Sequence, residues 1–120
     1  MSQPSLSFTP EEEALIQQEY QALLQDYIAS PHRKKTEIID QAFRLACHAH
    51  GLVRRRSGEP YILHPIAVAR IVCKEIGLGS TSICSALLHD VVEDTEYTVE
   101  DIRRGFGDKI ARIVEGLTKI

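Results

Sequence analysis

Apolar residues recur at three-to-four-residue spacing along most of this chain, and the stripes they form are helical ones. The first stripe, Leu15, Ile16, Tyr20, Leu23, Leu24 and Tyr27, follows Thr9-Pro10-Glu11-Glu12. There Thr9 is the N-cap, Pro10 takes the first helical position, and Glu12 is placed to close a capping box. The helix is expected to stop near Ser30-Pro31, because a residue before proline is pushed out of the α region. Residues 1–8 ahead of it are expected to be a flexible tail. A second helix is predicted over about residues 33–50, with Ile38, Ile39, Ala42, Phe43, Ala46 and Cys47 on its buried face. His50 extends that stripe by one turn, and Gly51 suits the helix end.

Residues 52–64 have no clear period and contain Gly58, Pro60 and three consecutive arginines, so they read as a loop. Pro65 opens a third helix, with Ala69, Val72, Cys73 and Ile76 on one side and Gly77 and Gly79 closing it. Ser80 or Thr81 is expected to cap a fourth helix bearing Ile83, Cys84, Ala86, Leu87, Leu88, Val91 and Val92. It is apolar on most sides and is predicted to be central and most buried. Thr98 starts a short fifth helix with Ile102 and Phe106. Asp108 caps a sixth with Ile110, Ile113, Val114 and Leu117. No segment reads as a strand or a repeat, so the fold is predicted to be all-α. The 120 residues suffice for one small domain, placed over residues 9–120.

Composition changes this picture little. Hydrophobic residues at 43% and charged residues at 26% describe a globular chain rather than a disordered one. A formal net charge of -3 offers no global reason to bind DNA or an anionic membrane, so a polyanionic substrate needs a local basic patch and a metal. No apolar run approaches the roughly 20 residues that span a bilayer. The polar opening, Met1 to Pro10, lacks the apolar stretch of a signal peptide. Cys47, Cys73 and Cys84 all lie in apolar helical patterns and read as small core residues in a reducing compartment, which makes the expected location cytoplasmic.

The sharpest chemical feature is His89-Asp90-Val91-Val92-Glu93-Asp94, at the end of the most apolar helix. Charged groups are rarely placed on a buried helix unless they are paired or bind a metal. His89 and Glu93 lie one turn apart, as do Asp90 and Asp94, which makes two neighbouring stripes of ligand-type side chains. Nitrogen and oxygen donors together suit Mn²⁺, Fe²⁺ or Zn²⁺ better than Ca²⁺ or Mg²⁺. An isolated His-Asp pair is more often a solvated helix end, but here an apolar turn precedes it and an acidic pair follows. His64, before Pro65, is either a second ligand or a helix-cap histidine. His50 on an apolar stripe is more often a core histidine than a ligand, and His48 more often a surface one. Arg54-Arg55-Arg56 is either a solvated face or a phosphate-binding cluster held by the Gly58-Glu59-Pro60 turn.

Taken together, Arg55-x-Ser57-Gly58-Glu59-Pro60-Tyr61-x-x-His64-Pro65 and His89-Asp90-x-x-Glu93-Asp94 resemble the hydrolase half of the RelA/SpoT family. The Ala86-Leu87-Leu88 run before His89 and the Thr118-Lys119 pair fit as well. The resemblance implies an HD-type helical bundle that removes the 3′-pyrophosphate of the alarmone (p)ppGpp, giving GDP or GTP and pyrophosphate with a bound Mn²⁺. By position, it implies His64, His89 and Asp90 as metal ligands, and Glu93 and Asp94 as the dyad that positions and deprotonates water. It places Arg55 against the guanine, with Ser57 nearby. It also implies a further aspartate ligand from a later helix, beyond Ile120. On that reading the activity belongs to a longer parent, and these residues alone bind metal weakly, hydrolyse little and self-associate through uncovered apolar faces. Two rival expectations are an HD phosphohydrolase of another nucleotide and a non-catalytic interaction module.

Overall fold

The capping box forms as its spacing dictates: the Glu12 amide donates to Thr9 Oγ1 at 3.1 Å, and the Thr9 amide donates to Glu12 Oε1 at 2.9 Å. A computed structural model describes residues 7–32 and 34–118. Most of the expected tail, the predicted second-helix start at Arg33, and Lys119 and Ile120 lie outside the described residues.

Among the described residues, six α-helices follow in order: α1 (Pro10–Ile28), α2 (Thr36–His50), α3 (Leu63–Arg70), α4 (Ser80–Asp94), α5 (Val99–Phe106) and α6 (Asp108–Thr118). The fold is all-α, and no strand occurs among the described residues. As its composition predicts, α4 is the central element. Ile83 to Leu88 are buried without interruption, and α4 packs on α2, α3 and α6. Fully burying each such Leu or Ile contributes about 1.5–3 kcal/mol. Its start differs from expectation: Gly79 is the N-cap, no side chain caps the helix, and Ser80 is already helical. Likewise Gly107, not Asp108, precedes α6, and the Asp108 carboxylate instead accepts from the Nε groups of Arg103 and Arg112.

Ring packing and arginine contacts hold α1 in place. Tyr20 stacks on Phe43 of α2 with ring centroids 3.8 Å apart, and its hydroxyl donates to Asp40 Oδ1 at 2.9 Å. At the end of α3, Arg70 Nε donates to Asp26 of α1 at 2.9 Å. Leu15 was expected on the buried stripe but stays exposed, while Ile16, Tyr20, Leu23 and Tyr27 carry the contact.

The third helix departs most from the prediction. It starts at Leu63, before Pro65, and beyond Arg70 it continues as a π-helical turn, Ile71–Ile76. The Gly77 and Leu78 amides both donate to Val72 O, and Gly77 closes the turn at φ 81°, where a side chain would be strained. The wider turn rotates the following residues, so Cys73 is buried whereas Ile76 is 61% exposed. Leu117, expected on the buried stripe of α6, is also exposed, and Ala111 is buried there instead. Among the described residues, no helix is long and apolar enough to cross a membrane.

Candidate metal centre

Within residues 52–64, read from sequence as a loop, residues 52–62 close into a small hairpin around one antiparallel bridge, Arg54 with Pro60. The Arg55 amide donates to Glu59 O at 2.9 Å, Gly58 N to Arg55 O at 2.8 Å, and Tyr61 N to Val53 O at 2.9 Å. Gly58 takes φ 103°, which suits glycine alone at the tip. The hairpin therefore presents its arginines from a fixed frame. Arg54 turns away to Glu12, whereas Arg55 stays exposed, its nearest acid being Glu59 at 4.0 Å. Ser57 hydrogen-bonds the Glu59 side chain and, with the Glu59 backbone and Arg55, holds that carboxyl below its usual range.

Across from the hairpin, the C-terminal turns of α4 carry the His-Asp motif. His89 Nδ1 lies 3.0 Å from Ala86 O, and because a carbonyl only accepts, Nδ1 carries the proton. Nε2 faces Asp90 Oδ1 at 2.9 Å. Two lone pairs that close require a proton or a cation between them. Neighbouring ligands of one octahedral ion with bonds of ~2.1 Å are about 3.0 Å apart, so the pair has the bite of a divalent-cation site. Asp90 is buried, and its other oxygen, Oδ2, accepts from the Tyr61 hydroxyl at 2.5 Å. Burial first, and the neighbouring Asp90 carboxylate second, push the Tyr61 phenol far above its ordinary range, so it remains a donor.

His50 closes the floor. It is buried, its ring lies 4.8 Å from the Tyr61 ring, and its Nε2 has no hydrogen-bond partner among the described residues. Burial lowers its affinity for a proton, against the opposing pull of Asp90 and Asp94. A cavity of about 720 Å³ opens here, with His48, His50, Tyr61, Asp94 and Tyr97 in its wall.

The expected residues are thus brought together unequally. His89 and Asp90 touch, and Asp94 reaches the same cavity as Tyr61 and His50. Glu93 is exposed one turn beyond His89. His64 is half-buried in the first turn of α3, its ring 5.9 Å from Tyr61, and no hydrogen bond or ion pair joins it to His89 or Asp90. Among the described residues, no three His, Cys, Asp or Glu groups are already gathered around one point as a metal cluster. Fit to a cation therefore rests on the His89–Asp90 bite and its mixed donor chemistry. Tyr61 went unassigned in the sequence, where its one signal is its place after Pro60 in the hairpin motif. The three cysteines are free thiols away from this chemistry, and burial pushes Cys47 up to about 11 and Cys84 up to about 12.

Comparison with known proteins places this site in context. The HD domain family matches residues 42–120. The chain is 43% identical over 93 residues to the guanosine-3′,5′-bis(diphosphate) 3′-pyrophosphohydrolase of Aquifex aeolicus, covering 78% of this chain and 13% of that protein. It is likewise 43% identical over 96 residues to the protein of the same name from Vibrio cholerae, covering 80% and 13%. A probable GTP pyrophosphokinase of Mycobacterium leprae is 48% identical over 83 residues, 69% of this chain and 10% of that protein. The chain spans about a tenth of the length of these relatives.

Proposed function

The chain belongs to the HD-domain family and, within it, to the RelA/SpoT group; we propose that its site hydrolyses (p)ppGpp at the 3′-pyrophosphate, giving GDP or GTP and pyrophosphate. The observation that carries this reading is the His89 Nε2–Asp90 Oδ1 pair at 2.9 Å, with a carboxylate one turn further on in the cavity wall. The names of the hydrolase relatives support the choice of substrate. His89, Asp90 and His64 would hold a divalent cation, Mn²⁺ on the strength of the resemblance. When bound, such a cation supplies Lewis acidity at the scissile phosphoryl group.

The remaining work falls to this chain's own side chains. Glu93 and Asp94 orient the attacking water and accept its proton, a contribution of typically ~10²–10⁴-fold. Arg55 lays its planar guanidinium along the guanine and offers charge to a phosphate, and Ser57 lies beside it in the hairpin. The hairpin's backbone bonds keep that contact oriented before substrate arrives. A cytoplasmic setting fits a nucleotide substrate and three free cysteines.

The test is a substrate panel with Mn²⁺ in excess, run on these residues and on a chain of the relatives' full length, in which the activity is proposed to reside. Pyrophosphate release from ppGpp and pppGpp, together with GDP or GTP and little turnover of other nucleotides, is expected. Turnover of a different nucleotide alone would leave an HD phosphohydrolase with another substrate.

A further inference from the structure

We infer that Tyr61 is a positioning residue for Asp90, its hydroxyl setting the orientation in which that carboxylate meets a divalent cation. The inference rests on the reading of Asp90 as a metal ligand. A carboxylate turns easily about its last torsion, which is broad and two-fold. In this site both Asp90 oxygens are spoken for: Oδ1 faces His89 Nε2 at 2.9 Å, and Oδ2 accepts from Tyr61 at 2.5 Å. The Tyr61 bond holds Oδ2 away from the His89 side, so Asp90 offers one oxygen rather than two.

Tyr61 is itself held firmly enough to do this. Its ring contacts two imidazoles, His50 at 4.8 Å and His64 at 5.9 Å between centroids. Its amide donates to Val53 O at 2.9 Å, and its carbonyl accepts from the His64 amide at 2.9 Å as α3 begins. Pro60, fully buried, fixes the backbone just before it. The hydroxyl is thus carried on the rigid base of the hairpin whose tip bears Arg55 and Ser57. One short segment would orient the metal-binding carboxylate and present the nucleotide-binding side chains. Partners of this kind commonly change metal affinity by about 10–100-fold when removed.

Calorimetric titration with Mn²⁺ of the wild-type chain, Tyr61→Phe, Asp90→Asn and the double variant tests the inference. Tyr61→Phe keeps the ring and its contacts with the two histidines and removes only the hydroxyl. It should weaken Mn²⁺ binding by about ten-fold or more while the thermal midpoint stays close to wild type. In the Asp90→Asn background the same change should cost nothing further. Unchanged affinity, or an equal loss in both backgrounds, overturns the inference. Should Tyr61→Phe fail to fold, the wild-type chain still decides, because saturating Mn²⁺ must shift the tyrosine ultraviolet band in step with binding, and a static band overturns it. Tyr61-dependent binding in a chain of the relatives' full length that leaves (p)ppGpp intact would sink the alarmone reading alone; no Mn²⁺ uptake by that longer chain would sink both.

Discussion

Arg54 grips Glu12 with both ends of its guanidinium, Nη1 to Oε2 at 2.5 Å and Nη2 to Oε1 at 2.7 Å, joining the hairpin to the N-terminus of α1. The same Glu12 oxygen accepts from the Thr9 amide, so one carboxylate serves both the capping box and the hairpin. The Arg54 guanidinium, helped by the Thr9 amide, holds the Glu12 carboxyl down at about 2, against an ordinary value of 4.5. A depressed carboxyl contributes stability that is present above pH 4.5 and lost as pH falls towards about 2. Arg54→Ala should therefore lower the thermal midpoint at neutral pH and flatten its decline across that acid window, read by circular dichroism. An unaltered acid limb would mean that the pair is not formed in solution.

The neighbouring arginine should behave differently. With Arg54 committed to Glu12 and Arg55 exposed at the hairpin, Arg55→Ala should leave the thermal midpoint nearly unchanged and weaken ppGpp binding by about ten-fold or more, the scale of a charge-assisted contact. Saturated turnover should fall less, because the contact acts on bound substrate as well. Arg54→Ala damaging nucleotide binding more than Arg55→Ala would reverse this division of labour.

Glu93→Gln separates binding from chemistry. The amide nearly matches the carboxylate in shape but cannot take a proton from water, and Glu93 stands outside the His89–Asp90 contact. In a chain of the relatives' full length, hydrolysis should drop by ~10²–10⁴-fold with Mn²⁺ affinity retained. Activity within a few-fold of wild type would leave Glu93 a helix-end charge and no more.

His50 predicts a second pH dependence, in a milder acid range. Burial lowers its proton affinity below the ordinary 6.5, so the unfolded chain gains a proton that the folded chain resists. Stability should consequently fall as pH drops below 6.5. His50→Leu removes both that slope and an unpaired buried nitrogen. Denaturant midpoints measured above and below this pH should converge in the variant, and a slope that persists would assign it to another group.

The core of α4 supplies the stability on which the site depends. Leu87 is fully buried between packed helices. Leu87→Ala should cost about 2–5 kcal/mol, seen as a large drop in the urea midpoint with little change in slope. A loss below about 1 kcal/mol would mean that the surrounding helices collapse into the space.

Much of this was legible in the chain itself, and some of it was not, for one reason. Helix positions, the Thr9–Glu12 box, the Gly51 terminus and the buried character of α4 follow from local spacing, because helical geometry brings residues three and four apart to one face wherever the helix lies. The His89-Asp90 pair was readable for the same reason, since both side chains leave a single turn. Tertiary structure alone showed where Arg54 goes, because no local spacing pairs it with Glu12, 42 positions away, until α1 packs beside the hairpin. It alone placed the Tyr61 hydroxyl on Asp90, 29 positions away, and left Ile76 exposed by widening a turn whose apolar spacing looks ordinary. Local spacing reports which face of a helix a residue occupies; which partner meets that face depends on how separate helices pack, and no short-range signal encodes that encounter.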